Sequence, residues 1–162
     1  MSSVQRVAPS LEAEGLRMAV VVSRFNQDIT RRLEASCLAA LQQAGVAEND
    51  IVVFSVPGAL EIPLVLAQLA ETGQFDGLIA LGAVVRGETY HFEVVSNESA
   101  AGIARVSHDL QVPIANGVLT TDTDAQALAR ADEKGRDCAL AAIEMANLML
   151  TIDEQFGSDD DQ

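Results

Sequence analysis

The spacing of apolar residues changes period several times along the chain. Residues 18–22, Met-Ala-Val-Val-Val, form an unbroken apolar run, as in a strand buried on both faces of a parallel sheet. After Asn26 the spacing becomes helical: Ile29, Leu33, Cys37, Leu41 and Ala44 share one stripe that closes at Gly45. Residues 51–56 predict a second strand, stopped by Pro57 and Gly58. A helix is predicted over 60–72, with Pro63 tolerable because it lies in the first turn. Then come a strand over 77–85, a helix over 93–110 and, after Pro113, a strand over 114–120. The remainder reads as two helices, 123–131 and 137–150, broken around Gly135.

Strands alternating with helices imply right-handed crossovers and an α/β fold: a four-stranded parallel sheet with helices on both faces, forming a three-layer sandwich. No repeat or linker divides it. Residues 1–15 are polar and interrupted by Pro9, and read as a flexible arm; residues 16–151 form a single domain. Residues 152–162 read as an acidic, disordered tail. Ligands of such sheets bind beyond the carboxyl ends of the strands. The candidate segments are therefore 23–26, 57–61, 84–91 and 120–124.

Composition narrows the function. The chain has 162 residues, 49% of them hydrophobic, enough for one core without staples. Its 24 acidic residues against 10 basic ones give a net charge of −14, which argues against a nucleic-acid or anionic-membrane binder. Five of the acids, Asp153, Glu154, Asp159, Asp160 and Asp161, fall in the tail. An anionic small substrate is still accessible if an Arg or Lys overrides the background locally. Cys37 and Cys138 lack a C-x-x-C partner and read as buried apolar residues in a reducing compartment. With no apolar leader at the start and no run long enough to span a bilayer, a cytoplasmic location is expected.

The strand ends carry the candidate chemistry. Phe25 either offers a plate on which a planar heterocycle stacks or packs on a helix as core, and Asn26 can cap the next helix. Glu61, beginning a helix after the Pro57–Gly58 turn, reads by itself as a charge that complements the helix dipole. The segment from Gly82 to Thr89 has the frame of a nucleotide-phosphate loop, but Glu88 stands where the lysine must be. It is left as a glycine-hinged loop whose N–H groups can cradle a single phosphate. His91 lies just beyond, and an imidazole suits proton transfer near neutral pH. Arg130 is either a surface charge or a fork for phosphate oxygens. His108 has no partner at metal-ligand spacing, so zinc is not expected.

Taken together, these residues carry a family resemblance. Arg24–Phe25–Asn26, Val56–Pro57–Gly58–Ala59–Leu60–Glu61–Ile62–Pro63, the block from Gly82 to Glu93 (GAVVRGETYHFE), Gly117–Val118–Leu119–Thr120–Thr121 and Ala142–Ile143–Glu144–Met145–Ala146–Asn147 resemble 6,7-dimethyl-8-ribityllumazine synthases. The match runs in order from about Leu16 to Leu150, and the third block is far more specific than a bare glycine motif. The resemblance implies a flavodoxin-like fold and the penultimate step of riboflavin biosynthesis. In that step 5-amino-6-(D-ribitylamino)uracil condenses with 3,4-dihydroxy-2-butanone 4-phosphate, without metal or organic cofactor. It also implies roles for individual residues. Phe25 would stack on the pyrimidine. Asn26 and Glu61 would bind the ribityl hydroxyls, with backbone from Ala59 and Leu60, while Val84 and Val85 would frame the pyrimidine edge. Gly87, Glu88 and Thr89 would meet the phosphate, His91 would move protons, and Arg130 of a neighbouring subunit would anchor the phosphate.

Two departures accompany the resemblance. Asn116 stands where the family commonly has an aromatic closing the pocket from the adjacent subunit. The stretch from Ala131 to Gly135 is shorter than the usual loop there, and Lys134 corresponds ambiguously to a family lysine that approaches the pyrimidine. The family forms homopentamers, in some members assembled into a shell of twelve, and a riboflavin synthase is an expected possible partner. For this chain an isolated pentamer or a pair of pentamers is expected. Competing readings are a non-catalytic flavin- or lumazine-binding carrier or shell protein on the same scaffold, and a general nucleotide-binding module. The joint presence of Phe25, Glu61, His91 and Arg130 favours the enzyme.

Overall fold

A computed structural model describes residues 3–158. Strands β1 (Met18–Ser23), β2 (Ile51–Val56), β3 (Gly77–Val85) and β4 (Ile114–Thr121) form an all-parallel sheet in the order β2-β1-β3-β4. The helices are α1 (Gln27–Ala44), α2 (Ile62–Glu71), α3 (His91–Leu110) and α4 (Asp124–Phe156), with short 3₁₀ turns at Glu48–Asp50 and Ala59–Glu61.

Every residue of β1 is buried, which explains its unbroken apolar run. Met18, Val20 and Val22 join the core beneath α1 and α4, while Ala19 and Val21 face the core shared with α2 and α3. The chain steps outward from β1 to β2, then back across β1 to β3 and on to β4. With right-handed crossovers, that reversal puts α1 on one face and α2 and α3 on the other. α4 returns to lie along α1. The reversal falls between β1 and β3, and there the diverging connections open the crevice in which such sheets bind ligands.

The sequence expectation fails at Gly135. α4 runs through it without a break, and the glycine serves close packing instead. A Cβ at Gly135 would lie 2.4 Å from the carbonyl oxygen of Leu33 and 3.1 Å from the amide nitrogen of Cys37, both in α1. Glycine here lets two helices approach to backbone contact, and helical hydrogen bonding continues because the neighbours, Ala131 and Cys138 among them, bury on the same face.

α4 also continues to Phe156, so residues 152–156 of the expected tail are helical rather than disordered. The tail's Asp159, Asp160 and Asp161 lie outside the described residues. Part of the amino-terminal segment rests on α4: Asn147 Nδ2 donates to the carbonyl oxygens of Ser10 and Glu12, each at 2.9 Å, and Ala13 is buried. No helix among the described residues is long and apolar enough to cross a membrane.

Candidate active site

The carboxyl ends of β1 and β2 are stitched together by backbone. Arg24 N–H donates to the carbonyl oxygens of Val56 and Pro57, and Phe25 N–H donates to that of Pro57 at 3.0 Å. This holds the Phe25 ring over Gly58, where a Cβ would come within 2.7 Å of two ring carbons and 3.3 Å of Glu61 Oε2. The ring is 64% exposed. Of the two sequence readings, the core one is therefore excluded, and the exposed plate stands beside a carboxylate. Glu61 and Leu60 are exposed and Ala59 is buried, in the 3₁₀ turn that leads into α2. At that helix start the positive end of the backbone dipole favours a carboxylate.

Asn26 does not cap α1 with its side chain, contrary to expectation. Its backbone is left-handed, φ 60°, a conformation that asparagine tolerates better than most residues. Its side-chain Nδ2 instead donates to the carbonyl oxygen of Ala83 at 2.9 Å. Asn26 thus spans the crevice between the ends of β1 and β3, and its Oδ1 can still accept a hydrogen bond.

Beyond Ala83, Val84 and Val85 are half-buried and residues 86–91 are exposed. Among them are Gly87, Glu88, Thr89 and His91. His91 is the first residue of α3, two residues earlier than the sequence predicts, and its N–H points to Thr89 Oγ1 at 3.4 Å. α3 packs on the Ala59–Glu61 turn, so the loop's helix and the Glu61 turn border the same crevice.

Arg130 and Lys134 lie on α4, which the chain enters after β4, at the edge of the sheet opposite β2. Thr123 caps α4, accepting from Gln126 N–H at 3.1 Å, as its residue type predicts. Arg130 is exposed and its Nη1 donates to Gln126 O at 2.9 Å; among the described residues it has no carboxylate partner. Because α4 is continuous, Lys134 lies one turn further along the same face, half-buried. Asn116 sits within β4 opposite Ala80, on the outer strand of the sheet, with its Oδ1 accepting from Val118 N–H at 3.0 Å. The chain therefore gathers Phe25, Asn26, Glu61 and the 84–91 segment at the ends of β1, β2 and β3, while Lys134 on α4 and Asn116 within β4 lie outside that group and Arg130 approaches it only on the side of Arg86.

One arginine escaped the sequence reading. Arg86 Nε donates to Asp122 Oδ1 at 2.7 Å, and its Nη1 donates to Glu93 Oε1. Its guanidinium carbon lies 4.3 Å from the centroid of the Phe92 ring. The paired guanidinium holds the Glu93 carboxyl below the usual range, and the two carboxylates raise Arg86 further. Beyond its place in the block from Gly82 to Glu93, its sequence signal was an Arg directly after a strand with a Glu seven residues on. Arg86, Phe92, Ser96, Asp122, Gln126 and Arg130 are among the residues lining an open pocket of about 430 Å³. No cluster of three or more His, Cys, Asp or Glu among the described residues could hold a metal ion. Cys37 and Cys138 are buried in the α1–α4 core and line none of these positions.

The sequence comparisons agree with one another. The family model described as 6,7-dimethyl-8-ribityllumazine synthase matches residues 15–150. A protein of that name from Ralstonia nicotianae is 60% identical over 154 residues, covering 94% of both chains. One from Cupriavidus metallidurans is 59% identical over 153 residues, 93% of this chain and 90% of its own. Another, from Burkholderia multivorans, is 60% identical over 151 residues, 93% of this chain and 87% of its own.

Proposed function

The chain belongs to the 6,7-dimethyl-8-ribityllumazine synthase family, and from that premise we propose how its residues share the work of the reaction. It is an enzyme that condenses 5-amino-6-(D-ribitylamino)uracil with 3,4-dihydroxy-2-butanone 4-phosphate to give 6,7-dimethyl-8-ribityllumazine. The substrate's amine attacks the ketone, and the adduct loses water to form an imine. Elimination releases inorganic phosphate, and closure of the second ring expels another water.

The pyrimidine stacks on the exposed Phe25 ring, against the edge formed by Val84 and Val85. Stacking there needs no side-chain rearrangement, because the backbone bonds to Pro57 already hold the ring over Gly58. The ribityl hydroxyls meet Asn26 Oδ1, Glu61 and the backbone of Ala59 and Leu60. The phosphate meets the N–H groups of Gly87 and Glu88 and the hydroxyl of Thr89. His91, next to that loop, takes the amine's proton and returns it to leaving water. Holding both substrates in register supplies more of the acceleration than a single acid–base group can.

We assign the phosphate anchor to Arg130 of a neighbouring subunit. Arg86 is already committed to two carboxylates, whereas Arg130 has none among the described residues, so its charge is available to an anion and to the charge that builds up as phosphate leaves. Arg130, Lys134 and Asn116 lie towards the β4 edge, away from Phe25 and Glu61 at β1 and β2. A site completed between copies of the chain accounts for that separation, and a ring of at least five is the assembly proposed. An isolated pentamer or a pair is preferred to a shell, with riboflavin synthase as a candidate associate and the cytoplasm as location.

The observation that carries this reading is the exposed Phe25 ring fixed beside Glu61 at the strand ends. Purified protein mixed with both substrates should form the lumazine, followed by absorbance and fluorescence, at a saturable rate above an enzyme-free control. A rate equal to the control, with the lumazine still bound tightly, would make the protein a carrier on the same scaffold.

A further inference from the structure

Arg86 follows β3 directly, and its contacts converge on two other elements. Nε donates to Asp122 Oδ1 just after β4, Nη1 donates to Glu93 in the first turn of α3, and the guanidinium lies over Phe92 of that same turn. Its backbone N–H donates to Thr121 O at 2.9 Å. The segment 87–90 is thereby pinned at both ends. The hydrogen bonds continue from there: Asp122 N–H donates to Gln126 Oε1 at 2.9 Å, and Arg130 donates to Gln126 O at 2.9 Å. A connected path runs from Glu93 through Arg86, Asp122 and Gln126 to Arg130. Ser96 Oγ, buried among the residues lining the same pocket, has no hydrogen-bond partner among the described residues.

We infer that Arg86 is a positioning residue for phosphate binding. It fixes the loop of Gly87, Glu88 and Thr89 and, through Asp122 and Gln126, the approach of Arg130. The inference rests on the phosphate role proposed above for those residues. If Arg130 serves the neighbouring copy's site, one arginine sets parts of two adjacent sites. Arg86 is assigned a positioning role rather than that of the anion's ligand, because Asp122 and Glu93 hold its Nε and Nη1 and offset its charge, whereas Arg130 carries no such pair among the described residues. Nor is its value mainly stability: the side chain is 45% exposed, and ion pairs so open to water contribute little to folding. Lysine is a poor replacement, since one ammonium cannot present a planar fork to two carboxylates while lying flat on a ring.

The test uses the full-length protein and four variants: Arg86→Gln, Arg86→Lys, Asp122→Ala and Thr89→Val. KM for each substrate, inhibition by inorganic phosphate, Tm and oligomer size are measured for each. Arg86→Gln, Arg86→Lys and Asp122→Ala should each raise KM for the phosphorylated substrate and Ki for inorganic phosphate by about tenfold, as misplaced contacts do. KM for the pyrimidine, Tm and oligomer size should barely change. If Arg86 were a direct ligand, Asp122→Ala would free its charge and tighten phosphate binding, which overturns the inference. A joint rise in both KM values with a fall in Tm would make Arg86 merely structural. Thr89→Val separates the two levels. If it weakens phosphate binding and the Arg86 variants do not, only this inference falls. If it leaves phosphate binding unchanged, the loop assignment falls and this inference with it.

Discussion

The side-chain amide of Asn26 donates to the carbonyl oxygen of Ala83 across the crevice between β1 and β3, at 2.9 Å, from a residue whose own backbone is left-handed. Two requirements therefore meet at one position: tolerance of φ 60° and a donor of the right length. Substitutions separate them. Asn26→Gly keeps the backbone comfortable and loses the bond, whereas Asn26→Ala loses both. The alanine variant should be less stable than the glycine variant by about 1 kcal/mol, the cost of a Cβ in the left-handed region. Both should raise KM for the ribityl substrate. Equal denaturation midpoints for the two would show that the backbone at Asn26 is unstrained.

Phe25 is exposed and contributes little to the core, so Phe25→Ala should change stability by less than about 0.5 kcal/mol. Its KM for the pyrimidine substrate should nonetheless rise about tenfold, since stacking on an aromatic ring is worth on the order of 1–3 kcal/mol per base. Gly58→Ala should mimic it in part. Its new Cβ would come within 2.7 Å of the ring and push the plate aside while leaving the aromatic in place. An unaltered KM in both variants would remove Phe25 from the site.

The fold was legible where one physical signal dominated. β1 announced itself because it is buried on both faces, and Pro63 marked the start of α2 because only a first turn tolerates it. The Gly135 region was misread because a glycine in a helical pattern signals either a break or a close approach, and the choice depends on Leu33 and Cys37, a hundred residues away in sequence. Arg86 was overlooked for the same reason, since its partner Asp122 lies on another strand end. That Phe25, Glu61 and His91 lie just beyond strand ends was legible from the strand pattern, and the roles given to them are the proposal above. Asn26 was read as a helix cap, and its actual bond to Ala83 depends on sheet order, which no local spacing encodes.

His91 and Arg130 should fail differently. His91→Ala should slow turnover by about 10²-fold or somewhat more without abolishing it, because co-binding of the substrates survives. Arg130→Ala should chiefly raise KM for the phosphorylated substrate. Complete loss of activity in His91→Ala with both substrates still bound would contradict the proximity account, and an unchanged KM in Arg130→Ala would remove it as the anchor.

Burial pushes the Cys37 thiol up to about 12 from an ordinary 9.0, with Cys138 and Glu34 adding to the effect. Between those values the unfolded thiol has lost its proton while the folded one keeps it, so the native state binds more protons. Stability from this group is thus fully present below pH 9 and declines as pH rises towards 12. Cys138 is raised by burial in the same direction, against a smaller opposing effect of Lys134. Chemical denaturation at several pH values should show wild type losing more stability above pH 9 than Cys37→Ala does. Parallel curves would mean that the thiol is hydrated in the folded state.

Two glycines test whether the sequence demands glycine for the fold or for a ligand. At Gly135 a Cβ would strike the α1 backbone, which cannot swing away as a side chain can, so Gly135→Ala should separate α1 from α4 and cost on the order of 1–3 kcal/mol. At Gly87 nothing among the described residues lies within 4 Å of an added Cβ and φ is not left-handed, so they give no reason to require glycine. Gly87→Ala should leave Tm unchanged, or raise it slightly by reducing the freedom of the unfolded chain. If the loop's N–H groups meet a phosphate, however, the methyl group crowds the approaching oxygens, and Ki for inorganic phosphate should rise several-fold in Gly87→Ala. In Gly135→Ala, measured where it remains folded, it should not. A Gly87→Ala protein with native phosphate affinity would place the anion elsewhere than on this loop.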